Sequence, residues 1–366
     1  MSRVVLVTGA SGFVGSSVVQ QLLENGFHVR GTARGQKAAD LRNSFTSFKD
    51  RFEVIEITDL NKPSPLPDHA LKDLWGFVHV ALYAPSSPDE SLEDILKGYI
   101  DSTRNILKQV EKSGAKHFVY TGTMGAVAEY GHPPGTTYKH TDWNPITIEE
   151  ALKSNELLLV YAAGKKHAEL TVWEWADAHP EVEVATIHPP CVLGPWATGF
   201  HLSRPSFPAM TPVFWNFIDP EGYFFFEPEY IDVRDLAKAH VWAMTQARLT
   251  SEVGRKRLIV ASPHGVDYGR SVELLREERP QLRGRLIKRK PPVFEHDRLS
   301  IEFDWVEKVL RMRKEDFYTW EETLLDGIDN YVELEKQWTA SGHDFKTPPL
   351  LPGLVAPEPE GEKKVD

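Results

Sequence analysis

Residues Val4 to Gly15 read VVLVTGASGFVG: a short apolar strand runs into a turn of small residues, with glycine at positions 9, 12 and 15. No other stretch restricts the fold as much, because each glycine meets a separate steric demand. Gly9 permits a tight turn, Gly12 lets backbone approach a pyrophosphate, and Gly15 lets the following helix pack closely on the strand. The N–H groups at that helix start carry a dipole that favours an anion. The spacing predicts a dinucleotide site at the edge of a sheet.

The first half of the chain repeats the strand–helix alternation. A helix over Phe13–Glu24 stops at Asn25-Gly26, a suitable left-handed cap. Strands are predicted at Val4–Thr8, His28–Ala33, Phe52–Ile57, Gly76–Ala81, His117–Thr121 and Val182–His188. Between them lie a polar helix to about Lys49 and helices over Ser91–Ser113 and Val160–His179. This spacing predicts an α/β fold with a doubly wound parallel sheet and right-handed crossovers. Beyond Pro195 the alternation fades, and residues 196–230 read as irregular and aromatic. A helix over Ile231–Gln246, a strand at Arg257–Val260, and helices over Val272–Glu278 and Trp320–Trp338 follow. The expected organisation is a Rossmann domain over 1–195, to which 231–262 return, with a substrate-binding lobe from 196–230 and 263–346. The proline-rich, charged tail over 347–366 is expected to be disordered.

The formal net charge of −11 argues against a nucleic-acid partner, which rewards lysine and arginine. Cys191 is the single cysteine, so no internal disulfide forms and a reducing compartment is expected. The N-terminal apolar run ends at Val7, which predicts no signal peptide. The longest later apolar run, Leu157–Ala163, is too short to cross a membrane, and no Asn-x-Ser/Thr site occurs. These features predict a cytoplasmic protein, monomer or homodimer, with no membrane partner.

The residues after the second strand bear on the nucleotide. A site for NAD usually has an acidic residue there to hold the ribose 2′-hydroxyl. This chain has Ala33-Arg34-Gly35-Gln36-Lys37. Two cations suit a 2′-phosphate, which an arginine contacts bidentately. Cations at a helix start oppose its dipole, so an anionic partner accounts for them better than solvent does. Asp59, past the third strand, is placed to accept from the adenine amino group.

Tyr161 and Lys165 stand four residues apart on a predicted helix, hence on one face. A ketone gaining hydride at carbon needs a proton at oxygen. Bringing a phenol from its usual pKa of about 10 to near 7 takes about 4 kcal/mol of preference for the phenolate. A nearby ammonium is the kind of charge that supplies it, and it can also hold the nicotinamide ribose. The fifth strand ends in Thr121-Gly122-Thr123-Met124, which delivers a hydroxyl to the same sheet edge.

Taken together, the chain resembles the extended short-chain dehydrogenase/reductase superfamily, within it the branch of dihydroflavonol reductases and fungal aldehyde/ketone reductases. The carriers are TGASGFVG (8–15), GTAR with Lys37, ITDL (57–60), GFVHVA (76–81), HFVYTGTM (117–124), YAAGK (161–165), HPPCVLGP (188–195) and YIDVRDLAKAH (230–240). The resemblance implies a Ser-Tyr-Lys triad with Thr123 in the serine position, polarising the carbonyl. It implies that Ser11, Phe13, Val14, Leu60 and Ala81 join Gly9, Gly12, Gly15, Arg34, Lys37 and Asp59 in binding NADP. It also implies that backbone beside Pro189 orients the nicotinamide carboxamide. Leu82-Tyr83-Ala84 replace the family's small residues after the fourth strand, which implies an altered pocket.

The expected activity is NADPH-dependent reduction of a small ketone or aldehyde. The alternatives are a nucleotide-sugar epimerase or dehydratase using NAD, against which Arg34 and Lys37 count, and a non-catalytic dinucleotide-sensing regulator. The Phe214–Phe226 aromatics, with Trp196 and Trp215, fit a core or a cleft, and a cleft there would take a flat, apolar substrate. His132 and His140 flank a Pro/Gly loop with no second ligand at metal spacing. His167, expected on a helix surface, and His188, where the resembled family shows a variable polar residue, are given no catalytic role.

Overall fold

The computed structural model describes residues 3–85, 87, 89–129, 136–206, 212–225, 229–292 and 300–348. Seven parallel strands make one sheet: β1 (Val4–Thr8), β2 (His28–Ala33), β3 (Phe52–Glu56), β4 (Leu74–His79), β5 (His117–Thr121), β6 (Glu183–His188) and β7 (Lys256–Ile259). Their spatial order is 3-2-1-4-5-6-7. β1 is an unbroken apolar run because both faces of the sheet are covered. Val5 and Val7 pack with Val18, Val19 and Leu22 of α1 (Phe13–Glu24). Leu6 faces the other way, against Phe77, Phe118 and Ile106.

Winding reverses between β1, which pairs with β2, and β4, which pairs with β1 on its other side. In such sheets the crevice at that reversal is where ligands bind. Its two walls are joined at the strand ends, where Thr8 Oγ1 and His79 Nδ1 lie 2.7 Å apart.

Four further helices flank the sheet: α2 (Gly35–Arg42), α3 (Leu92–Ser113), α4 (Leu157–Ala178) and α5 (Val233–Thr245). α3 starts on a Ser91 cap that accepts from Asp94 N at 3.1 Å and ends on left-handed Gly114. α2 stops at Arg42 rather than running to Lys49, because Phe45 takes a positive φ of 54° and buries its ring against Phe52 and Phe200. α5 starts at Val233 rather than Ile231, since Tyr230–Asp232 pair as a short strand with Cys191–Leu193. Unpredicted in the sequence are the Ile148–Ser154, Thr250–Val253 and Phe303–Leu310 helices and the Pro212–Phe217 helix within the stretch read as irregular, as well as the pairing of Thr137–Tyr138 with Ser300–Ile301.

A second aromatic core is built by the Pro212–Phe217, Tyr268–Glu278 and Trp320–Ala340 helices. Phe214, Trp215, Phe217, Phe224 and Phe225 are all buried in it, and the Trp215 and Tyr331 rings stack at 4.5 Å. Of the two readings open for these aromatics, the core is the one observed. Phe226, His132 and the tail from residue 349 lie outside the described residues.

Asp235 of α5 anchors this half of the molecule by accepting from Tyr318 N at 2.9 Å. Burial first, and then the neighbouring Asp232 carboxylate, push its pKa up to about 7. A carboxyl raised in the folded state keeps its proton there after the unfolded chain has lost it, near pH 4. Stability is therefore full below about pH 4 and falls as pH rises toward 7. Asp235→Asn is expected to flatten that slope and to gain about 1 to 2 kcal/mol at pH 8, read from urea midpoints between pH 4 and 8.

Candidate active site

The glycine turn sits at the C-terminal end of β1. Gly9 has φ 70°, and a Cβ on it would come within 2.9 Å of Ala81 backbone. Gly12 N donates to Gly9 O at 2.9 Å, closing the turn. A Cβ on Gly15 would overlap the Gly9 carbonyl, so helix and strand touch there. Gly12 caps α1 without a side chain, and the first turn, with Phe13 and Val14, holds no acid. Its N–H groups, unmet by any side-chain cap, are available to an anion. Phe13 turns inward, edge-on to Trp196 at 5.2 Å; Ser11 is half-buried in the turn itself.

Arg34 closes β2 and caps α2, whose first turn also lacks an acid. Arg34 and Lys37 are both exposed, and among the described residues neither has an anionic partner. Asp59 accepts from Asn61 N at 2.9 Å through one oxygen. Leu60 beside it is buried. Ala81 N donates to Thr8 Oγ1 at 3.3 Å, so the backbone after β4 is tied to the end of β1. The glycine turn, the two free cations and Asp59 fit a phosphorylated dinucleotide.

Across the crevice, Lys165 is buried on α4 and donates to Tyr120 Oη at 3.0 Å and to Thr121 O at 2.9 Å. Burial pushes its pKa down, while Tyr161 and then Glu169 push it back up. The ammonium is thereby fixed at the end of β5, with one N–H still available. Tyr161, one turn earlier, is half-buried and lies edge-on to Tyr99 at 5.7 Å. Tyr99 in turn lies edge-on to Tyr83 at 5.8 Å. Both of these rings fill space that a side chain would deny them. A Cβ on Gly164 would approach the Tyr99 ring to 2.6 Å, and one on Gly98 would overlap the Tyr83 ring. The Tyr83 hydroxyl donates to Glu90, and burial first, then Glu90, raise its pKa to about 12.

Thr123 follows β5 and caps a short 3-10 turn, its Oγ1 accepting from Gly125 N at 3.3 Å. Acceptance from the backbone orients the oxygen and leaves its hydrogen to donate elsewhere. Met124 N donates to Pro189 O at 2.9 Å, so the backbone that carries Thr123 is joined to the residue after β6. Thr123, Lys165 and Pro189 are thus brought to one strand-end cluster. Arg34, Lys37 and Asp59 lie beyond β1, past the ends of β2 and β3.

Sequence reasoning missed Glu169 and Arg257. Glu169 is fully buried and accepts from Arg257 Nε at 2.8 Å, Trp173 Nε1 at 2.9 Å and Thr186 Oγ1 at 2.9 Å. Burial works to raise its pKa, yet His188 and then Arg257 draw it down to about 2. One signal was present: Glu169 stands four residues past Lys165 on the same helix face. His188, given no catalytic role from the sequence, is buried beside this carboxylate. His167 is half-buried on α4. Among the described residues no cluster of three metal-ligating side chains occurs, and no helix is long and apolar enough to cross a membrane.

A doubly wound parallel sheet with a glycine cradle at its reversal and a Tyr–Lys pair on the opposite wall defines a Rossmann protein of the short-chain dehydrogenase/reductase type. Residues 5–213 match the profile of the NAD dependent epimerase/dehydratase family; the chain belongs to that family. Among its relatives is aldehyde reductase 2 of Sporidiobolus salmonicolor, 34% identical over 200 residues, which are 52% of this chain and 57% of that protein. Ketoreductase adrE of Penicillium rubens is 28% identical over 286 residues, 75% of this chain and 80% of that one. The structure of yeast methylglyoxal/isovaleraldehyde reductase Gre2 complexed with NADPH superposes with a TM-score of 0.74 at 26% identity, covering 91% of this chain and 99% of that one.

Proposed function

We propose that this chain reduces a small ketone or aldehyde to the alcohol with NADPH as hydride donor. The observation that carries the reading is the joint placement of Lys165 and Thr123 at the end of β5, with Tyr161 one helical turn away. Relatives named as an aldehyde reductase and a ketoreductase, and a neighbouring methylglyoxal/isovaleraldehyde reductase solved with NADPH, support it.

Gly9, Ser11, Gly12, Phe13, Val14 and Gly15 would hold the pyrophosphate, Arg34 and Lys37 the 2′-phosphate, and Asp59 with Leu60 the adenine. Ala81 and Pro189 would flank the nicotinamide end. Bound there, NADPH supplies the hydride that reaches the carbonyl carbon. Thr123 donates its O–H to the carbonyl oxygen and stabilises the charge that builds there. Tyr161 gives that oxygen its proton, and the Lys165 ammonium favours the phenolate left behind. NADPH oxidation against a panel of aromatic and aliphatic carbonyls, with a nucleotide-sugar control, tests the reading. Turnover of the nucleotide sugar alone would replace it with the epimerase/dehydratase alternative.

Cofactor choice gives a separate test. Binding of NADPH is expected to be tighter than that of NADH. Arg34→Ala removes a charge-assisted contact of about 1.5 to 3 kcal/mol, so NADPH affinity should fall by roughly 10- to 100-fold while NADH affinity holds. Equal affinity of the unmutated protein for both nucleotides, by fluorescence titration, counts against the 2′-phosphate site.

A further inference from the structure

We infer that His188 is a positioning residue for Thr123, held with both ring nitrogens protonated by the buried Glu169 carboxylate; this rests on the role proposed above for Thr123. His188 is the last residue of β6 and is fully buried. Its Nδ1 lies 3.2 Å from Thr123 O, a carbonyl that also accepts from Ala126 N at 3.0 Å. A carbonyl oxygen only accepts, so Nδ1 carries a hydrogen. Its Nε2 lies 2.9 Å from Glu169 Oε1 and 3.0 Å from Thr186 Oγ1. Thr186 already directs its hydroxyl to Glu169. Nε2 therefore faces two acceptors and carries a hydrogen as well.

The two other buried histidines of this region differ. His240 donates from Nδ1 to Leu236 O at 2.8 Å and meets the Thr121 hydroxyl with Nε2. His79 meets Thr8 Oγ1. Each has a hydroxyl that can donate to the ring, so one hydrogen suffices for the neutral form. Burial holds both pKa values down, to about 4 for His240 and about 3 for His79. Of these three buried histidines His188 alone is set against a carboxylate; the half-buried His140 meets Glu302 at 2.6 Å.

The charges joined to His188 are Glu169 on α4 and, through Glu169, Arg257 on β7. Arg257 also donates to the carbonyls of His140 and Asp142, which roots the cluster in a further segment. From this base the ring reaches under the turn at β5. A Cβ on Gly122 would overlap the His188 ring, which accounts for glycine between the two threonines. The last two residues of β6 and the residue after it hold the turn that carries Thr123: Gly122 N donates to Ile187 O at 2.7 Å, His188 donates to Thr123 O, and Met124 N donates to Pro189 O. The hydroxyl of Thr123 therefore takes its direction from the residues that lead into the proposed nicotinamide pocket.

The test pairs two amides. Asparagine at 188 places a donor where Nδ1 was, toward Thr123 O; glutamine places one where Nε2 was, toward Glu169. His188→Gln is expected to lower kcat by roughly 10- to 100-fold, and His188→Asn by less than about tenfold. NADPH affinity should change by less than about twofold in both. A buried histidine of purely structural value would cost stability in both variants and separate neither in kcat. Equal kcat in the two variants, or no loss in His188→Gln, overturns the inference.

Two further measurements complete the test. In ¹⁵N-histidine-labelled wild-type protein at pH 7, both nitrogens of His188 should carry hydrogens, and a neutral ring overturns the proposal even if neither variant folds. In a Thr123→Val background, His188→Gln should add little to the loss in kcat. If Thr123→Val alone is fully active, the role of Thr123 fails. If Thr123→Val is impaired but His188→Gln is silent in the wild type, only the positioning role fails.

Discussion

Replacing Tyr161 with phenylalanine is expected to lower kcat by roughly 10²-fold or more, the usual contribution of a placed proton donor. The substitution keeps the ring and hence its edge-on contact with Tyr99, so the packing of α4 against α3 should survive. The Lys165 ammonium remains bonded to Tyr120 and Thr121, and NADPH affinity should stay within about twofold, because the lost proton matters in the transition state rather than in the bound complex. Single-turnover NADPH oxidation together with equilibrium titration separates the two effects. A variant that keeps half its activity would mean that the carbonyl oxygen takes its proton from another group.

Thr123→Val is the second large effect. A hydroxyl aimed at a developing oxyanion is worth about 3 kcal/mol of barrier, roughly a 10²-fold loss in kcat. Valine keeps the branched shape. It also deletes the acceptor for Gly125 N at the start of the 3-10 turn, so a loss of about 1 kcal/mol in stability is expected beside the loss in rate. Thr123→Ser preserves both the acceptor and the donor and should retain activity. Unchanged kcat in the valine variant would leave Tyr161 as the sole group acting on the carbonyl.

The parallel sheet was legible because its signals are local. β1 is apolar through Val7 and is followed at once by the glycine turn. The i,i+4 placement of Tyr161 and Lys165 needs only a helix to become a shared face. What escaped the sequence needs distant segments. The Thr137–Tyr138 and Ser300–Ile301 strands are two residues each, too short to show a period. Glu169, His188 and Arg257 come from α4, β6 and β7 and meet only because the strands pair in parallel. The residues 214–225 were ambiguous for another reason, since an aromatic run has the same composition in a core as in a cleft. Only the Trp320–Ala340 helix laid against them decides it.

Gly98 and Gly164 sit in the interiors of α3 and α4, where each forfeits roughly 1 kcal/mol of helix stability relative to alanine. A thermostabilisation campaign guided by helix propensity would rank both positions near the top for replacement. Here the missing methyl groups seat the rings of Tyr83 and Tyr99, and through Tyr99 the ring of Tyr161. Alanine at either position would displace a ring of the series that ends on the proposed proton donor. Directed evolution of this scaffold toward heat resistance should therefore meet its activity cost at two glycines that touch no substrate, and recover it through smaller aromatics at 83 or 99.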